Sequence, residues 1–189
     1  MQAGEVIKGA FKRHRFALEE SERLIFKDVE RGAEILADAA RGGRTLFVCG
    51  NGGSAADSQH LAAEWTCRYK KERGPLPAIA LTVDTSAITA IGNDYSFEEV
   101  FSRQIKALGK KGDVLVAITT SGGSKNVLRA IESAKSRGLK VIALTGEKGE
   151  TLRASVDVAI VVPTTETSRI QEMHELVYHA WCEYVDESF

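Results

Sequence analysis

The stretch TLFVCGNGGSAADSQHLAAE, residues 45–64, runs from an apolar segment through a glycine-rich loop, Gly50 to Ser54, into a helical pattern. A short apolar run bounded by turn residues reads as a strand, and the pattern that follows reads as a helix. Strand, tight turn and helix form the opening unit of a parallel α/β sheet. The same alternation recurs downstream. It predicts strands at 45–49, 78–82, 114–119, 140–144 and 158–162, and helices at 54–69, 86–91, 97–108, 125–137 and 167–187. The expected fold class is therefore α/β: a three-layer sandwich in which right-handed crossovers place helices on both faces of a five-stranded, mostly parallel sheet.

Upstream, apolar residues recur at helical spacing over 6–40, including Phe11, Leu18, Leu24, Ile25, Val29, Ala33 and Leu36, until Gly42 and Gly43 stop the pattern. This segment, 1–43, is expected as one long helix or two, packed on the sandwich. A chain of 189 residues with no repeat or low-complexity linker suggests one domain over 1–189. The proline-rich turn Gly74-Pro75-Leu76-Pro77 joins a helix to a strand.

Composition removes several classes of function. Lys plus Arg number 25 against 26 Asp plus Glu, so no global positive field exists to hold nucleic acid or an anionic membrane. Apolar runs are of strand length, far below the roughly 20 residues that span a bilayer. Residues 1–16 carry Lys8, Lys12, Arg13, His14 and Arg15 with no apolar run behind them, unlike a secretory signal; a cytoplasmic location is expected. Cys49, Cys67 and Cys182 are widely spaced without a C-x-x-C, as in a reducing compartment.

In an open parallel sheet, ligands bind beyond the carboxyl ends of the strands. Two loops there stand out. Gly50-Asn51-Gly52-Gly53-Ser54 offers backbone N–H groups at a helix start, where an anion would be favoured. A tight turn with Ser54 as N-cap and Asp57 completing the capping pair suits the same residues equally. Thr119-Thr120-Ser121-Gly122-Gly123-Ser124 brings four hydroxyls and two glycines ahead of another helix, more hydroxyls than capping needs and suited to phosphate oxygens. The sequence Gly50-x-Gly52-x-x-Ala55 formally fits a dinucleotide fingerprint. Asp84, however, lies farther on than the usual ribose-binding acid, and no P-loop is present. A small phosphorylated metabolite fits better.

His60 and Glu64 lie four apart on the helix after the first loop, and Gln171, Glu175 and His179 form a second polar stripe at the same spacing. Imidazole and carboxylate move protons near neutral pH and also bind zinc; both uses are open to this set. Asn93 and Asp94 fall near the same rim, suited to sugar hydroxyls or to a helix-ending turn. Arg68-Tyr69-Lys70-Lys71 reads as a solvated, basic helix end.

Taken together, Cys49 to Glu64, Ile91-Gly-Asn-Asp94, Thr119 to Ser124 and Arg169-Ile-Gln-Glu-Met-His174, with His179 beyond, resemble the sugar isomerase (SIS) family, and within it the phosphoheptose isomerases. The resemblance covers nearly the whole chain. It implies a flavodoxin-like SIS fold, a homotetramer with active sites between subunits, and conversion of sedoheptulose 7-phosphate to D-glycero-D-manno-heptose 7-phosphate, the first step of bacterial nucleotide-activated heptose synthesis. By position it assigns the sugar phosphate to Asn51, Gly52, Gly53, Ser54, Glu64, Asn93, Asp94, Thr119, Thr120, Ser121, Ser124 and Gln171. Glu64 and His179 take the catalytic roles. It further implies one zinc ion per subunit, held by His60, Glu64, Gln171 and His179. The sequence departs from the family pattern at Thr119, where Ser is usual, and at Gly123, where a relative carries Asn. A non-catalytic member that binds the bacterial replication initiator is similar through the glycine loop and the R-I-Q-E-M-H segment, but it lacks the acid and histidine pair kept here.

Overall fold

A computed structural model describes residues 2–189. In chain order it contains α1 (Ala3–Arg41), β1 (Leu46–Cys49), α2 (Gly53–Thr66), β2 (Ala78–Ala80), α3 (Thr85–Asp94), α4 (Ser102–Leu108), β3 (Val114–Thr119), α5 (Lys125–Ser136), β4 (Lys140–Gly146), β5 (Val158–Val162) and α6 (Thr167–Glu187). All strand pairs are parallel, in the order β2-β1-β3-β4-β5. The expected five-stranded sandwich is present.

Because β3 and β5 are buried along their whole length, their sequences run as unbroken apolar stretches, as strands covered on both faces must. Alternate residues feed two cores. Leu46, Val48, Val114, Val116 and Ile118 face α1, α2 and α6, whereas Phe47, Leu115 and Ala117 face α4 and α5. On the first side Trp181 of α6 is fully buried against α1, where its indole N–H donates to the Val29 carbonyl at 2.8 Å. A Cβ at Gly32 would come 2.7 Å from that ring, so the glycine is what admits it. Truncating such an aromatic costs roughly 3–5 kcal/mol.

The N-terminal segment is one helix of 39 residues, resolving the choice between one and two. One face of it is buried, through Ala17, Ile25, Ala33, Leu36, Ala37 and Ala40, while Ile7, Phe11, Phe16, Leu24 and Phe26 stand exposed. Other boundaries moved. Helix α2 stops at Thr66, short of the expected 69. The expected helix over 97–108 divides into a 3₁₀ turn at Phe97–Glu99 and α4. An unexpected 3₁₀ segment, Glu147–Ala154, joins β4 to β5. Among the described residues no helix is long and apolar enough to cross a membrane.

Candidate active site

The strand order reverses direction between β1 and β3, and a crevice opens at such a switch point beyond the carboxyl ends of the two strands. Both glycine-rich loops lie there. After β1, Gly52 takes φ +57°, a left-handed conformation that favours glycine, and it serves as the N-cap of α2 with no side-chain cap. Ser54 is therefore not the cap: it is buried inside the first turn, and its carbonyl accepts the Ser58 hydroxyl at 2.7 Å. The Ser54 and Ala55 N–H groups donate to the Asn51 and Gly52 carbonyls at 3.0 Å, so what this uncapped helix end offers an anion is the Gly53 N–H and its positive dipole.

After β3, Gly122 takes φ +71°, and a Cβ there would run into the backbone of Gly149. The 3₁₀ segment thus forms a floor under the second loop. Thr119 is buried and its hydroxyl donates to Ser124 Oγ at 3.1 Å, while the Gly123 N–H donates to Ser121 Oγ at 3.2 Å. The Gly146 N–H at the end of β4 holds the Thr120 carbonyl at 3.1 Å. Fully buried His174 donates from Nε2 to the neighbouring Thr145 carbonyl at 3.3 Å. Burial pushes this imidazole down to about 4, so it is a neutral strut at physiological pH.

The two loops are tied side chain to side chain. Asn51 Nδ2 donates to Asn126 Oδ1 at 2.9 Å, and Asn126 Nδ2 donates back to Asn51 Oδ1 at 2.8 Å. Asn126, buried in the first turn of α5, escaped the sequence reading; a polar residue at a helix start carries no sign of a distant partner. Since the Asn51 amide is occupied, the first loop faces the crevice mainly through its backbone.

The acid and base residues gather where α2 meets α6. His60 Nε2 lies 3.2 Å from Glu64 Oε1 and 3.5 Å from His179 Nε2. On its other side, His60 Nδ1 is 3.0 Å from the Tyr178 hydroxyl and 3.7 Å from Glu175 Oε1. An arrangement satisfying these contacts has Nε2–H donating to Glu64 and Tyr178 donating to Nδ1. Tyr69 stacks on His179, with centroids 5.4 Å apart and planes at 25°. Nearby Asp57 is pushed up to about 6 by burial, reinforced by Glu175 and opposed by His60. Its Oδ2 is buried with no hydrogen-bond partner among the described residues.

Donor atoms of His60, Glu175 and His179 fall within 4.8 Å of one another. Two imidazoles and a carboxylate make a zinc-type shell rather than the all-oxygen shell of calcium or magnesium. Two imidazole nitrogens facing each other at 3.5 Å, near the half-buried Asp57 with its unpartnered Oδ2, fit a shared cation. The carboxylate inside this cluster is Glu175, which the sequence placed on the right stripe but not in the metal shell; Glu64 reaches it through His60. Gln171 packs its amide against Gly53, at the head of α2. Asn93 and Asp94 close α3, exposed, with Asn93 Nδ2 donating to Asp94 Oδ1 at 2.8 Å.

Arg68 to Lys71 do not continue the helix as expected. They turn toward α6, where the Lys70 and Lys71 N–H groups bind the buried Asp186 carboxylate at 2.7 and 2.8 Å.

The SIS domain family model matches residues 11–146. A phosphoheptose isomerase of Campylobacter concisus is 51% identical over 184 residues, covering 97% of each chain. Among solved structures, a phosphoheptose isomerase from Neisseria gonorrhoeae aligns with TM-score 0.93 at 44% identity, covering 98% of this chain and 100% of that one. A phosphoheptose isomerase from Francisella tularensis aligns with TM-score 0.95 at 37% identity, covering 99% and 100%. With that agreement along nearly its full length, the chain belongs to the SIS-domain family, in its phosphoheptose isomerase branch.

Proposed function

We propose that the protein isomerises sedoheptulose 7-phosphate to D-glycero-D-manno-heptose 7-phosphate, the entry to nucleotide-activated heptose synthesis. The observation that carries this reading is the meeting of Glu64 and His179 around His60, one helix away from a paired anion-binding crevice. His60, which links the two reacting groups, follows Gly53 by seven residues, roughly 10 Å along α2 from the loop, and Glu64 stands about one turn farther on. That spacing separates a phosphate grip from the carbons that change.

In this mechanism the phosphate is held by the backbone of Asn51 to Ser54 and by Thr120, Ser121 and Ser124, with Thr119 supporting Ser124. Asn93, Asp94 and Gln171 hold sugar hydroxyls. Glu64 takes a proton from C1 and returns it at C2 of the enediol, while His179 moves the proton between the hydroxyl and carbonyl oxygens. Each positioned acid or base contributes about 10²- to 10⁴-fold. Remote binding of the phosphate orients the reacting end. A zinc ion, one per subunit, would be held by His60 and His179 with Glu64, Glu175 and Gln171 as the available oxygen donors, and when bound it would polarise the substrate carbonyl. The exposed apolar face of α1 supports assembly into a homotetramer with active sites between subunits. A cytoplasmic location suits free thiols, and neither nucleic acid nor membrane is a partner in this reading. The alternative, a replication-initiator binder, has no use for the Glu64 and His179 pair.

Incubation with sedoheptulose 7-phosphate in deuterated water, with and without a chelator, tests this directly. The aldose should appear with solvent deuterium at C2, and chelation should slow it; an unchanged ketose would overturn the reading. Thr120→Ala and Ser124→Ala should raise KM before they lower kcat, since hydrogen bonds to a charged phosphate are worth about 1.5–3 kcal/mol each. Unaltered KM in both variants would take the phosphate out of this loop.

A further inference from the structure

We propose that Tyr69 is a positioning residue for the His179 imidazole and that the buried carboxylate of Asp186 holds Tyr69 in place. The inference rests on the isomerase reading for what His179 does, and on the local geometry for how it is held.

The chain leaves α2 at Cys67 and must return toward β2. On the way it is gripped by Asp186, which is 1% exposed and lies seven residues, or about two turns, beyond His179 on α6. Asp186 Oδ2 accepts the Lys70 and Lys71 N–H groups at 2.7 and 2.8 Å, and Oδ1 accepts Arg73 Nε at 2.7 Å. The Arg73 guanidinium also donates to two carbonyls at the end of α2, Glu64 at 2.9 Å and Trp65 at 3.0 Å, and to its neighbour Gly74 at 3.1 Å. The first two are carbonyls that a helix terminus leaves without partners. One ion pair thus closes the helix bearing Glu64 and fastens it to the helix bearing His179.

Tyr69 sits immediately before the gripped amides, and its position follows from theirs. Its ring covers a face of the His179 imidazole, while His60 and Tyr178 meet that imidazole edge-on, each with centroids at 4.9 Å and planes at 79°. A second tether reinforces the placement: the Lys70 ammonium is bound to Glu183 of α6 at 2.9 Å and lies 5.3 Å from the Tyr69 centroid. With two edge contacts and one covered face, the imidazole has little freedom to turn. Removing the cover leaves rotation opposed by the edges alone, and small misplacements of a catalytic group cost up to about 100-fold in rate.

The contact is made by the ring, so a flat side chain should suffice. Tyr69→Phe is expected to keep kcat and KM within about twofold of the parent. Tyr69→Leu should lower kcat by roughly 10-fold or more with KM within about threefold, and should shift the His179 ring-proton NMR signals, which the Phe variant should leave near their parental positions. Tyr69→Met, which retains apolar volume without a flat face, carries the same expectation if Leu unfolds the chain. Parental kcat in the Leu or Met variant, or an equal loss in the Phe variant, would overturn the proposal. The controls separate the two ideas. If the parent does not isomerise the substrate at all, the isomerase reading fails, whereas an active parent, a crippled Glu64→Gln and a parental Tyr69→Leu would sink the Tyr69 proposal alone.

Discussion

Glu64→Gln is expected to lower turnover of sedoheptulose 7-phosphate by at least roughly 100-fold while leaving the melting temperature near that of the parent. The amide keeps the size of the side chain and can still hydrogen-bond His60, 3.2 Å away, so packing between α2 and α6 should survive. It cannot accept a proton from carbon. If Glu64 only bound substrate, KM would rise with kcat maintained. A loss concentrated in kcat, measured by steady-state kinetics beside thermal unfolding, is the signature of a group acting in the transition state. Near-parental turnover would remove Glu64 from the chemistry.

Asp186→Asn should cause the largest loss of stability, about 3–5 kcal/mol, the usual cost of breaking a buried ion pair on one side. The side chains of Arg73 and Asp186 are 3% and 2% exposed, so the orphaned guanidinium would find little water. Burial works against the Asp186 charge. The Lys71 N–H, the Arg73 guanidinium and the Lys70 N–H outweigh it and hold the carboxyl below its ordinary value. The unfolded chain therefore binds the proton more readily than the folded one, so this contribution is complete above about pH 3.9, the usual Asp value, and is lost as pH falls through the folded value. Denaturant unfolding should show the full gap between parent and variant at pH 7 and a smaller one at pH 3. Stabilities equal within about 1 kcal/mol at pH 7 would contradict the role given to this pair.

The sequence carried the framework well because buried parallel strands leave an unmistakable signal. The runs at Val114–Thr119 and Val158–Val162 match β3 and β5 end to end. Thr167–Glu187 likewise matches α6, whose apolar stripe was periodic throughout. Errors collected where local pattern and tertiary contact disagree. Residues 67–69 continued a helical pattern, but Arg73 reaches back to the carbonyls of Glu64 and Trp65 and the chain turns to Asp186; that partner lies over a hundred positions away. The capping role of Ser54 was reasonable locally, yet Gly52 with its positive φ begins the helix earlier and draws the serine inside. In the site, four-residue spacing located His60, Glu64, Gln171, Glu175 and His179 on their stripes. Which carboxylate would face both imidazoles depends on how α2 and α6 cross, and spacing along one helix does not contain that angle.

The reciprocal amide pair between Asn51 and Asn126 has an entropic meaning. Each loop alone would have to be frozen when a ligand arrived, at a cost of about 1–2 kcal/mol for every residue fixed. Latched to each other during folding, the two loops meet the ligand already preorganised, so more of the contact energy appears as affinity. The latch also makes the loops a unit: a change that shifts one should be felt at the other even though some seventy residues of chain separate them.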